Sequence, residues 1–223
     1  KDQAREDAKV AIDRIHVRKR VGVVRINHEP QILTSDLDAV VRPGLAGLTI
    51  PKVSCAEDLR RVDQMVSAIE QEHNYPVGDV RLIAQIESAA GVLNVREIAQ
   101  ATPRLAAMGI GIEDLAADVG CSVESDSLYF PSMQTLYAAR ESGVVPIGYL
   151  GSITVYNDLD TFRNWIRRAK SLGFDGGFCI HPNQVDILNE EFAPGIDEVI
   201  DAKTLLKAFE LRAEEGSSPF SYR

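Results

Sequence analysis

The sequence has no basic tract, no two cysteines at metal-binding or redox spacing, and no apolar run long enough to cross a membrane. With 24 Lys and Arg against 33 Asp and Glu, the formal charge is −9. That balance excludes a nucleic-acid surface, and any phosphate must be held by isolated cations. Cys55, Cys121 and Cys179 are widely spaced, which suits a reducing cytoplasm and small core residues better than nucleophiles. No GxGxxG follows the first apolar strand, so the phosphate cradle of the dinucleotide-binding folds is missing.

The stretch from Asp79 to Gly120 is the most informative. Its two apolar runs, Val80–Ile86 and Leu105–Ile112, each finish in acid: Glu87 in the first, Glu113-Asp114 in the second. Ala89 to Gln100 between them is long enough for the helix that carries one parallel strand round to the next. Two carboxylates at the same end of adjacent parallel strands suit a hard divalent cation with oxygen ligands. Acidic residues there also cap the N-termini of following helices, and that reading stands beside the first.

Strands and helices alternate along the rest of the chain. Helices are expected over Lys1–Ile15, from a Ser35 cap to Val41, and over Ala56–His73, Glu113–Asp118, Tyr129–Ser142, Asp158–Leu172 and Asp197–Glu214. Further strands are expected at Val21–Asn27, Gly47–Val53, Val144–Tyr149 and Gly177–Pro182. Continuous apolar strands between helices predict a parallel sheet covered by helices. Polar residues recur at strand ends, at Arg25, Lys52, Glu87, Asp114 and His181. This distribution favours an α/β barrel with a site assembled from many strand ends over a doubly wound sheet. Residues 1–223 read as one such domain. Six strands are two short of eight, and the missing pair is expected before Lys1.

Taken in order and spacing, VRIN, IPKV, IESAAGV, GIEDLAADVG and IHPNQV resemble the HpcH/HpaI aldolase and citrate lyase beta-subunit family, most closely its CoA-ester lyase branch. The resemblance covers nearly the whole chain. It implies a (β/α)8 TIM barrel of the phosphoenolpyruvate/pyruvate-binding type, a Mg2+ cofactor, and reversible C–C cleavage in a CoA thioester such as malyl-, citramalyl- or citryl-CoA. Glu87 and Asp114 are implied as the metal ligands, with Glu113 outside the set. Arg25 is implied as the catalytic cation holding the carboxylate or oxyanion of a 2-oxo acid, and Lys52, His181 and Gln184 as contacts of substrate or CoA. A surface cation is an equal reading of Lys52, and a hydrogen-bonded structural histidine of His181. Backbone geometry explains Gly91 and Gly111 better than phosphate binding does.

Three alternatives accompany this reading: a citrate lyase beta subunit acting on a citryl thioester of an acyl carrier protein, a thioesterase sharing the metal site, and a non-catalytic scaffold. The intact Arg25, Glu87 and Asp114 argue against the scaffold. The cysteine usage predicts a cytoplasmic protein, and the resemblance implies a homotrimer or hexamer. Family members usually begin with two more strands, the second ending in a DLEDAV-like motif, and continue past the Ser218-Pro219-Phe220 region into a lid carrying an aspartate. The expectation is therefore a portion of a longer polypeptide. Gly148, where many relatives carry an acid, is expected to mark a different substrate subgroup.

Overall fold

The computed structural model describes residues 2–214. Five parallel strands, β1 (Gly22–Arg25), β2 (Leu45–Ile50), β3 (Arg81–Ile86), β4 (Leu105–Ile110) and β5 (Val145–Ile147), lie side by side in chain order. Each is followed by helical chain that returns to the start of its neighbour, as a parallel pair requires. The helices are α1 (Asp2–Val17), α2 (Pro30–Val40), α3 (Ala56–Glu72), α4 (Ala89–Leu93), α5 (Val95–Ala99), α6 (Ile112–Val119), α7 (Tyr129–Glu141), α8 (Leu159–Leu172), α9 (Pro182–Phe192) and α10 (Ile196–Glu214). Among the described residues the sheet does not close on itself. The Ser218-Pro219-Phe220 region lies outside them.

The period of two along β3 separates two faces. Leu82, Ala84 and Ile86 are fully buried and join Leu37, Leu48, Leu59, Val66, Ile98 and Met108 in the main core. Ile83 and Gln85 turn the other way and are only half-buried. Each large aliphatic side chain buried under the helices contributes about 1.5–3 kcal/mol. A second core, around Phe162, Ile166, Tyr149 and Leu188, joins the C-terminal helices to the end of β5.

Several sequence expectations need correction. The sixth strand, expected over Gly177–Pro182, is reduced to one bridge between Ile147 and Gly176; no further strand among the described residues pairs with it. The polar HPNQ segment opens α9, where Pro182 sits at the first turn and His181 is the N-cap. Ser35 lies inside α2 rather than capping it; that helix begins at Pro30, whose missing N–H makes it a natural first-turn residue. The expected helix Ala89–Gln100 is broken at Asn94, whose side-chain amide donates to the Ser54 carbonyl at 2.9 Å.

Candidate active site

A cavity of about 210 Å³ opens at the C-terminal ends of the strands and is lined by Arg25 at the end of β1, Gln85 of β3 and Glu87 just after it, and Glu113 and Asp114 after β4. Ile147, Ile153, Phe178 and Ile180 form its apolar side. Arg25, Glu87 and Asp114, far apart in sequence, thus share one space.

Glu87 is 5% exposed, and its Oε2 accepts the Lys52 backbone N–H at 3.1 Å. Lys52 adopts a left-handed backbone, with φ 54°; its amide holds Glu87, and its exposed side chain does not line the cavity. Burial pushes the Glu87 carboxyl up and the neighbouring charge of Asp114 adds to it, opposed by Arg25 and by the amide and charge of Lys52. Two facing carboxylates, one of them desolvated, form a site that a cation would relieve.

Local structure fixes this pair. Ser88 caps α4 by accepting from the Gly91 N–H at 3.2 Å, and Asp118 of α6 accepts the Ala89 N–H at 2.7 Å. The turns after β3 and β4 are thereby tied together. A Cβ at Gly91 would lie 2.5 Å from the Val53 carbonyl oxygen, and one at Gly111 would lie 2.6 Å from Glu87 Cγ. Both glycines are explained by close approach rather than by a ligand. Gly111 has φ −88°, a conformation alanine adopts freely, so Gly111→Ala should fold normally and act only by displacing Glu87. Its turnover is expected to fall about 100-fold, as for a misplacement of about 1 Å, with a wild-type melting curve. Wild-type turnover would show that Glu87 needs no such placement.

Glu113 is otherwise engaged. Its Oε1 accepts from Ser152 Oγ at 2.8 Å and from the Ile153 N–H at 2.7 Å, holding the loop after β5. Asp114 is exposed at the cavity, with no internal bond of this kind. On the β1 side Asp36 does the holding: it accepts from the Asn27 N–H, the Asn27 side-chain amide and Arg5 Nε. Burial pushes its carboxyl up, but the bonds from Asn27 and Arg5 outweigh that and leave it below the usual range. Asp36→Ala strands these donors and should lower stability by about 1–3 kcal/mol, measured by urea unfolding; an unchanged midpoint would deny the latch its role.

His181 and Gln184 do not line the cavity. His181 Nδ1 accepts the Asn183 N–H at 3.2 Å, and its ring stacks on Tyr156 at 4.9 Å. Gln184 is fully buried. Its Oε1 accepts from the Ile180 and His181 amides, while its Nε2 donates to the Ile153 and Val155 carbonyls. Its hydrogen-bonding capacity is spent joining α9 to the loop after β5, which leaves none for a substrate. Sequence reasoning missed Asp36, Gln85 and Tyr149, of which Gln85 and Tyr149 line the cavity. Gln85 carries a readable signal, a polar residue two places before Glu87 inside an apolar strand; Asp36 and Tyr149 carry none.

The donor chemistry fits magnesium. The cavity is lined by three carboxylates, Glu87, Glu113 and Asp114, of which Glu113 holds the loop after β5, and by no imidazole or thiolate. Among the described residues no cluster of three or more His, Cys, Asp or Glu could cage a softer metal. Mg2+ is commonly held by one or two carboxylates, with water and substrate oxygens completing its octahedron.

The HpcH/HpaI aldolase/citrate lyase family model matches residues 1–182. The chain belongs to this family. A citrate lyase subunit beta from Leuconostoc mesenteroides subsp. cremoris is 30% identical over 99% of this chain and 74% of its own length. An L-malyl-CoA/beta-methylmalyl-CoA lyase from Cereibacter sphaeroides is 33% identical over 100% of the chain and 76% of its own length. Among solved structures, the citrate lyase beta subunit from M. tuberculosis complexed with oxaloacetate and magnesium is 25% identical, with a TM-score of 0.61 over 77% of this chain and 73% of that one. These family members agree with the α/β fold of parallel strands and covering helices described above.

Proposed function

We propose that this chain is a magnesium-dependent carbon–carbon lyase that cleaves or forms a 3-hydroxyacyl-CoA of the malyl, citramalyl or citryl type by a retro-Claisen reaction. The observation that carries the reading is the convergence of Glu87, Asp114 and Arg25 on one cavity in a member of this family. Glu87 and Asp114 would hold the metal. When bound, Mg2+ supplies Lewis acidity that lowers the pKa of a coordinated hydroxyl and stabilises the charge on the oxo-acid side.

The chain's own residues do the rest. Arg25 presents a fixed fork of donors, always charged, to the carboxylate and the developing oxyanion. The Lys52 amide keeps Glu87 aimed at the cavity, and Glu113 braces the apolar loop that limits water around the reacting bond. Cleavage removes the hydroxyl proton, breaks the C–C bond and yields a 2-oxo acid and a thioester enolate, which is then protonated.

The test is product analysis after incubation with malyl-, citramalyl- and citryl-CoA, with and without Mg2+. Magnesium-dependent release of a 2-oxo acid and a shortened CoA ester supports the lyase. Free CoA with an intact hydroxy acid would establish a thioesterase and overturn it.

A second reading is a beta subunit working on the citryl thioester of an acyl carrier protein. It is favoured by the near-equal identity to relatives of both names, 30% and 33%. Cleavage of the carrier-bound thioester without turnover of any CoA ester would select it. In either case we place the enzyme in the cytoplasm as a single barrel domain assembled into a homotrimer or hexamer, testable by sedimentation. No helix among the described residues is long and apolar enough to cross a membrane.

A further inference from the structure

The polar groups around the cavity have assigned work, with one exception. Gln85 lines the cavity, and its carboxamide has no hydrogen-bond partner among the described residues. It lies two residues before Glu87 on β3 and on the same face, so its Cα sits roughly 6–7 Å further from the strand end. Gln85 is therefore deeper in the cavity than the metal-binding carboxylates. Its partner across β3–β4 is Gly109, which pairs in turn with Ile147 of β5. A Cβ at Gly109 would lie within 2.1 Å of the Ile147 carbonyl oxygen, so that position must stay bare and no side chain from it covers the amide. The remaining deep wall, with Ile147 and Phe178, is apolar.

From this placement we infer that Gln85 is a specificity-determining residue, selecting 2-oxo acids whose substituent carries a second carboxylate over those carrying hydrogen or methyl. The inference rests on the lyase reading and names the substrate class of the same site. A 2-oxo acid anchored at its 1-carboxylate and keto oxygens by Arg25 and the metal directs its remaining substituent away from them. A substituent reaching the floor meets either the apolar wall or the Gln85 amide. A carboxylate there accepts from the amide N–H; a methyl group leaves the amide unpaired once water is displaced. The amide is neutral, so it discriminates through hydrogen bonding without closing the site to smaller acids.

The experiment is calorimetric titration of the protein in Mg2+ with oxaloacetate, pyruvate and glyoxylate, which needs no thioester and no turnover. Wild type should bind oxaloacetate most tightly. Gln85→Leu, of similar size, should weaken oxaloacetate about 10- to 100-fold, the range for a charge-assisted hydrogen bond, and bind pyruvate at least as tightly as wild type does. Gln85→Glu keeps the shape, adds like charge, and should weaken oxaloacetate further. Magnesium titration and melting curves of both variants check that Glu87 and the fold are intact.

An oxaloacetate-to-pyruvate ratio that neither substitution moves would overturn the inference and leave the lyase reading standing. Wild type that prefers pyruvate would do the same. No binding of any of the three acids by wild type in Mg2+ would overturn both.

Discussion

Asp114→Asn is expected to lower magnesium-dependent turnover by about 1,000-fold, and Glu87→Gln by at least as much. Lewis-acid stabilisation of the transition state is worth several kcal/mol, and each ~1.4 kcal/mol is tenfold in rate. Of the three carboxylates lining the cavity, Glu113 accepts two hydrogen bonds from the loop after β5, Glu87 one from the Lys52 N–H, and Asp114 none among the described residues. Glu87→Gln is the cleaner probe. Its amide oxygen can still accept the Lys52 N–H that the carboxylate accepts at 3.1 Å, so the turn survives while the charge is lost. Glu113→Gln is the control: it disturbs the loop after β5 and leaves the magnesium affinity near wild type. Turnover and magnesium affinity should fall together in the first two variants. If Glu113→Gln lost metal binding and Asp114→Asn kept it, the assignment of ligands would be wrong.

The second large effect lies at the opposite end of the sheet, where stability rather than chemistry is at stake. Arg104, 3% exposed, precedes β4 and uses its whole fork. Nε donates to Asp63 at 2.5 Å, Nη1 to Glu70 and the Val80 carbonyl, and Nη2 to Glu70 at 2.6 Å and to Ser67. Glu70, 1% exposed, also accepts the Gly78 and Val80 amides at the start of β3. Glu70→Ala leaves a buried guanidinium short of its partner, and removing one member of such a pair destabilises by about 3–5 kcal/mol. For a chain of this size that is roughly 10 °C in melting temperature. A change within the scatter of surface substitutions would show that the network is energetically idle.

The same network sets the response to acid. Burial pushes the carboxyls of Glu70 and Asp63 up, but the Arg104 bonds outweigh it, joined by backbone amides for Glu70 and by Thr102 for Asp63; both are held below their usual values. A depressed carboxyl pKa gives stability that is fully present above the unfolded value of about 4 and is lost as pH falls through the folded one. Wild type should therefore lose melting temperature below about pH 5, and Glu70→Gln should flatten that decline. Parallel curves for the two proteins would exclude Glu70 as a source of the acid sensitivity.

Sequence by itself determined the alternation of apolar strands and helices, hence the parallel sheet, because strand runs buried on both faces and amphipathic helices have different periods. It also placed Glu87 and the Glu113-Asp114 pair at strand ends, since a carboxylate ending an apolar run stands there; only the family resemblance preferred Asp114 to Glu113. Gly91 and Gly111 were correctly ascribed to backbone geometry, although the neighbours that require it are visible only in space. The sequence could not tell a short apolar segment such as Gly177–Pro182 from a strand, because pairing depends on a neighbour that periodicity does not report. Nor could it distinguish acids that face the cavity from acids that hold the fold. Glu113 and Asp114 are adjacent in the chain and both line the cavity, yet only Glu113 accepts hydrogen bonds from the loop after β5. His181 and Gln184 are implied as substrate or CoA contacts by the family resemblance, with a structural histidine an equal reading of His181; in the tertiary structure His181 caps α9 and Gln184 ties it to the loop after β5. For Glu113 and Gln184 the decision lies in hydrogen-bond partners on the loop after β5, 29 to 40 residues away in the chain: the Ile153 N–H for Glu113, and the Ile153 and Val155 carbonyls for Gln184.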